Sequence, residues 1–308
     1  MRLRGIGADP MVAPRAAPSA ARDLPGRARM PVIGGIDHVV IIVRDLDAAR
    51  RRIGRLGFAP TPRGGHPVLG TGNHTVMFRE PTYFETMGIE RPGPHTARYA
   101  EFLARREGIG ALALKTDDAR RVHAEHGGAP LHASPVVDFA RPVDLPSGRV
   151  EARFTLSQFD AAATPGVSAF ACQHHTPGVV WRQDMLDHPN GAVGLAFATI
   201  VVEDPRAAAA AYAWLWPGPA RHEDGLCEID TGTCPLRLVS PARFAAENPG
   251  DPLLAQSAPF CAEIGVRVRD RDAAAALLAG AGVAHRRATD GCVALPSSEG
   301  CGAIFKFC

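Results

Sequence analysis

A weakly repeated module constrains this chain more than any single motif. Its clearest copy runs from Gly35-Ile36-Asp37-His38-Val39-Val40-Ile41-Ile42-Val43 to Tyr83-Phe84-Glu85-Thr86-Met87. The opening apolar run reads as a buried strand. Asp45-Leu46-Asp47 then starts a helix that continues through Ile53, with arginines toward its end and Gly54 and Gly57 close behind, the terminus chemistry expected of a helix. Three shorter apolar segments follow at 58–61, 73–78 and 82–87, separated by Pro and Gly. The order is strand, helix, strand, strand, strand.

A second copy opens at 111–116, with a helix over 117–126 closed by Gly127-Gly128 and later strands at 149–157 and 168–173. The third opens at 195–202, followed by Asp204-Pro205 and an Ala-rich helix; the fourth opens at 262–268, followed by Asp270-Arg271-Asp272 and the run 273–278. Each opening strand leads to Asp and then to a helix. Four copies imply two pairs, because one half-open sheet exposes an apolar face that a second must cover. The predicted class is α+β, with an N-terminal pair over 32–190 and a shorter C-terminal pair over 191–308. Residues 1–31, rich in Arg, Ala and Pro without hydrophobic periodicity, read as a disordered tail.

Hydrophobic residues make up 46% and charged residues 21%, with a formal net charge of +2, so no broad basic field is available for nucleic acid and a small-molecule partner is expected. No stretch approaches the roughly 18 apolar residues of a membrane span. The seven cysteines are scattered and include no Cys-x-x-Cys pair. Neither a disulfide framework nor a zinc ribbon is indicated, and reduced thiols in a cytoplasmic protein are the simplest reading.

Ile36-Asp37-His38-Val39-Val40, the helix start Asp45-Leu46-Asp47-Ala48-Ala49, and the stretch from Gly65-His66-Pro67 to Gly70-Thr71-Gly72-Asn73 resemble the vicinal oxygen chelate superfamily, and within it the glyoxalase-like domain proteins. The resemblance runs from about residue 33 to the end and is strongest in the first copy. It implies four βαβββ modules in two paired halves, the glyoxalase, bleomycin-resistance and extradiol dioxygenase fold. It also implies a divalent metal held by first- and last-strand residues of each copy in a pair. By position, His38 and Glu85 are the implied ligands from the first copy, and Zn, Fe, Ni or Mn the implied metal. The second copy departs from the pattern, since its opening strand offers only Ala111 or Ala113. Aligning 83–87 with 171–175 puts Gln173 opposite Glu85 and His175 on the same face two residues on. His175 is therefore the expected third ligand, Gln173 a contact to substrate or a bound water, and His174 should face the other way.

Glu85 is also the candidate base, because a carboxylate in an apolar strand is costly to bury unless paired or metal-bound. The plainer readings are a salt bridge from Glu85 to Arg63, Arg79 or Arg182, and a hydrogen-bonded core histidine at His38. His66 and Asn73 are expected to contact substrate. In the last two copies Ala196 or Ala198 and Glu263 open the modules and Ile304-Phe305-Lys306-Phe307 closes the final one, which gives no second metal set. That half is expected to be structural, a lid, or the surface of a homodimer. The resemblance implies a metal-dependent enzyme acting on a small substrate with adjacent oxygens, by lyase, isomerase or dioxygenase chemistry. The rival is a metal-free protein that sequesters a small ligand, as bleomycin-resistance relatives do.

Overall fold

The computed structural model describes residues 32–145 and 148–308; the tail expected over 1–31 lies outside the described residues. The four aspartates that follow the opening strands organise the chain. Asp45, Asp118, Asp204 and Asp270 each occupy a helix N-cap and accept hydrogen bonds from backbone N–H groups of the first turn. A capping carboxylate satisfies donors that a helix start otherwise leaves open, so each strand ends in a fixed strand-to-helix corner.

The first module comprises β1 (Ile36–Ile42), α1 (Leu46–Arg55), β2 (Gly64–His66), β3 (Thr71–Met77) and β4 (Tyr83–Ile89). Helix α2 (Ala97–Arg105) leads to the second, with β5 (Gly108–Lys115), α3 (Ala119–His126), β6 (Val137–Leu145), β7 (Gly148–Gln158) and β8 (Ser168–His174). After the short α4 (Pro177–Val180) come β9 (Ala192–Val201), α5 (Pro205–Tyr212), β10 (Arg221–Glu223), β11 (Leu226–Ile229) and β12 (Leu236–Val239). Helix α6 (Pro241–Glu247) precedes the last module, β13 (Phe260–Val268), α7 (Arg271–Gly280), β14 (Arg286–Arg287), β15 (Val293–Leu295) and β16 (Ile304–Phe307).

Each half is one eight-stranded sheet, ordered β2-β3-β4-β1-β5-β8-β7-β6 and β10-β11-β12-β9-β13-β16-β15-β14. In both, the opening strands of the two modules pair antiparallel at the centre and each runs parallel to its own module's last strand. The first sheet curls until its edge strands β2 and β6 lie side by side, which closes a cup. Pro142 is accommodated because β6 is such an edge and owes no hydrogen bond on its outer side.

One continuous apolar core joins the helix-covered faces of both sheets, with Val39, Ile41, Phe84 and Ile53 from the first half and Ile264, Val266, Phe305 and Leu278 from the second. Trp216 Nε1 donates to Gly34 O at 2.8 Å and Tyr212 Oη to Pro165 O at 2.7 Å, so the third module is also tied by hydrogen bonds to the first two.

Two expectations are corrected. The second strand of the first module lies at Gly64–His66 rather than at 58–61, because Pro60 and Pro62 remove ladder donors there, whereas Gly64–His66 pairs fully with Thr71–Asn73 through the hairpin closed by Gly70 at φ 72°. The thiols are not all reduced: Cys292 and Cys308 form a disulfide across the β15–β16 ladder, one step beyond the Val293–Phe307 pair, while the other five cysteines are free and buried.

Candidate active site

The cup of the first sheet holds a cavity of about 50 Å³ behind its mouth. His38, His66, Asn73 and Glu85 all line it, with an apolar wall that includes Met87, Phe139, Phe154 and Phe170. Gln173 and His175 do not. Gln173, on the outer face of β8, accepts from Ala119 N at 3.2 Å and donates to Asp117 O, holding the start of α3; His175, just past the end of the strand, has Nε2 2.7 Å from Thr155 Oγ1 in a separate surface hollow.

The reason is register. In each module the residue seven before the helix cap, and the last-strand residue paired two positions further along, occupy equivalent places. They are His38 and Glu85 in the first module, Ala111 and Phe170 in the second. Phe170, not Gln173, stands where Glu85 stands. The metal shell that the fold implies is therefore half carbon in this cup, and the donors present do not complete it.

Among the described residues, one trio of metal-type donors comes within 4.8 Å, namely Asp37, His38 and His174. Their spacing is that of hydrogen bonds converging on one oxygen: Asp37 Oδ1 is 2.7 Å from His38 Nδ1 and 3.1 Å from His174 Nε2. A bulge between Ile36 and His38, where β1 slips against β5, places Asp37 beside His38 instead of across the sheet from it. Asp37 is fully buried. Burial would raise its carboxyl, but the bonds and charges of His174 and His38 outweigh that and hold it well below the usual carboxylate range.

An ionised Asp37 accepts the Nδ1 proton of His38, which leaves Nε2 facing the cup. There Nε2 is 3.8 Å from Glu85 Oε1 and 3.5 Å from Tyr83 Oη, with the tyrosine ring stacked on the imidazole at 4.1 Å. Glu85 Oε2 accepts from Asn73 Nδ2 at 2.5 Å. None of the three arginines considered as partners reaches Glu85: Arg63 pairs with Glu90, Arg79 with Asp187 and Arg182 with Asp184. His66 donates or accepts through Nδ1 at Thr71 Oγ1, 2.9 Å away, and burial pushes it down to about 4, only partly offset by the Glu85 charge. Cys172 also lines the cup, and burial raises its thiol well above its ordinary value, so it is no nucleophile.

The equivalent positions in the second sheet are Phe197, Arg237, Glu263 and Lys306. These build an ion cluster in place of a binding centre. Lys306 Nζ lies 2.9 Å from Glu263 Oε1 and 3.1 Å from Glu247 Oε2, Arg237 reaches Glu247 at 3.4 Å, and its guanidinium covers the Phe197 ring. Arg243 Nε also donates to Glu247 at 2.8 Å, so both carboxylates are engaged by the chain's own cations, which suits a structural role for this half.

The chain belongs to the glyoxalase-like domain family, whose model matches residues 36–216, and its fold is that of the vicinal oxygen chelate superfamily. Similar solved structures include a hypothetical protein from Staphylococcus aureus at 10% identity, covering 88% of this chain and 98% of that one with a TM-score of 0.62. A triple mutant of 4-hydroxymandelate synthase from Streptomyces coelicolor is 17% identical, with 84% and 77% covered and a TM-score of 0.54. The Mn(II)-bound glyoxalase from Novosphingobium aromaticivorans is 10% identical, with 89% and 81% covered and a TM-score of 0.53. No curated protein matches the sequence. Among the described residues no helix is long and apolar enough to cross a membrane.

Proposed function

We propose that this chain is a small-molecule enzyme that moves a proton at a carbon next to an oxygen function, with the N-terminal cup as its substrate site. The observation that carries this reading is the placement of His38 Nε2, backed by Asp37 and 3.8 Å from Glu85, inside an apolar enclosure. A proton taken by Nε2 makes an imidazolium flanked by two carboxylates. That placement lets Nε2 take a proton from substrate and return it, as a general base and acid. Asn73 holds the Glu85 carboxylate in place, and neutral His66 offers a hydrogen bond to a substrate oxygen. Metal-assisted chemistry of the kind implied by the resemblance has two of its four positions filled by Ala111 and Phe170, and no step is assigned to a metal.

The test is loss of α-protons, followed by proton nuclear magnetic resonance in deuterium oxide, from a panel of 2-oxo and 2-hydroxy acids and hydroxyketones. Exchange that disappears in His38→Gln and falls in Glu85→Gln supports the enzyme. Ligands that bind in the cup without any exchange would instead favour sequestration, the reading that the carbon side chains at 111 and 170 leave open.

A further inference from the structure

Arg141 projects from the edge strand β6 into the cup, and among the described residues no hydrogen bond or ion pair engages it. Its guanidinium passes over Gly64, where a Cβ would stand only 3.0 Å from Nη1. The other guanidinium lining the cup is already committed, since Arg98 donates to Gln158 Oε1 and to Tyr99 Oη at 2.5 Å. Glu85 acts on Arg141 by its charge but makes no ion pair with it, and the neighbouring carboxylate, Asp37, is taken up by His38 and His174. A desolvated cation without a partner is costly, and a site that keeps one is arranged for a ligand to supply the counter-charge.

We infer that Arg141 is the anchor for the carboxylate of a substrate whose remaining body is apolar and ring-sized. This rests on the cup being the substrate site. A carboxylate matches the guanidinium fork with two parallel hydrogen bonds, and beside Glu85 and Asp37 its one negative charge is opposed less than the two of a phosphate dianion. The body of the ligand meets Phe139 and Phe154, whose rings stack with centroids 5.0 Å apart, and Phe170 on the last strand of the same module. Aromatic walls favour a flat apolar group over a sugar or a polyol. The anchor would hold the carboxylate at one side of the cup and leave the rest of the molecule to reach His38 and Glu85.

The experiment is isothermal titration calorimetry of the full chain, in buffer containing a chelator, with benzoate, phenylacetate and 3-phenylpropionate, their three amides, and phenyl phosphate. At least one acid should bind the wild type at least about tenfold more tightly than its amide, and Arg141→Met should erase that difference by weakening the acid about 10- to 100-fold while leaving the amide unchanged. Arg141→Lys should recover part of the loss. Equal binding of acids and amides, unchanged acid binding in Arg141→Met, tighter binding of phenyl phosphate, or no acid binding at all would each overturn the assignment. The acid-to-amide ratio in the wild type decides the matter even if the Met variant does not fold. Acids that bind through Arg141 but never exchange protons would leave the anchor standing and remove the enzyme reading. Exchange on neutral ketones with no acid binding would do the reverse.

Discussion

Asp37 Oδ1 lies 2.7 Å from Nδ1 of the residue next to it, His38, and this bond decides which imidazole nitrogen faces the cup. Neighbouring residues on a regular strand point to opposite faces, so the contact exists only because β1 bulges between Ile36 and His38. The fourth module repeats the device without the chemistry: β13 slips between Cys261 and Glu263, and Ala262 stands where Asp37 does.

Replacing Asp37 by Asn should remove the charge that orients both histidines. The account predicts a stability loss of about 2–3 kcal/mol at neutral pH by urea unfolding, in the range of charge-assisted hydrogen bonds. It also predicts proton-exchange activity reduced about 10- to 100-fold, the usual consequence of losing a carboxylate behind a working histidine. An Asp37→Asn protein with unchanged exchange would show that the orientation of His38 is set elsewhere.

His66 predicts a pH dependence with a definite sign. Its folded value is about 4, below the ordinary 6.5, so the unfolded chain takes up the proton first as pH falls. The contribution of neutral His66 to stability is complete above pH 6.5 and is lost progressively between 6.5 and 4. Up to about 3 kcal/mol is at stake. Denaturant midpoints measured across that window should fall with decreasing pH, and His66→Gln should flatten the slope. Asp37, held ionised, adds acid lability at lower pH in the same direction.

Lys306 is 1% exposed and faces Glu263, which is fully buried. Lys306→Met should cost up to about 3 kcal/mol, because it leaves buried Glu263 with only the Asn248 hydrogen bond and Arg237 at 3.9 Å, whereas Lys306→Met with Glu263→Met should recover much of that loss. Chemical unfolding of the two variants measures both. Ligand binding in the N-terminal cup should be unaffected in whichever variant folds, since the cluster sits in the other sheet.

Much of the architecture was legible because the four capping aspartates close four buried strands, and a cap after an apolar run is a local signal. Helices α2 and α6 were not, since they lie between modules and belong to no repeat. The site was legible in the first module, where polar His38 and Glu85 stand out from apolar neighbours. It was misread in the second, because β8 is buried on both faces: Ala169 and Ala171 pack toward the helices, Phe170 and Cys172 toward the cup, and no alternation of polarity fixes the parity. His175 lies one residue past the end of the strand at His174, where the alternation of faces no longer applies. Asp37 carried the same signal as Glu85, a carboxylate in an apolar strand, but its use depends on a bulge that sequence pattern does not display.

The most direct test is proton exchange by chelator-treated protein whose metal content has been measured by inductively coupled plasma mass spectrometry, beside a His38→Ala, Glu85→Ala variant. The account predicts far less than one metal per chain, exchange that survives chelation, and no exchange in the variant. Near-stoichiometric metal that is absent from the variant, together with exchange lost on chelation and restored by the metal, would contradict it.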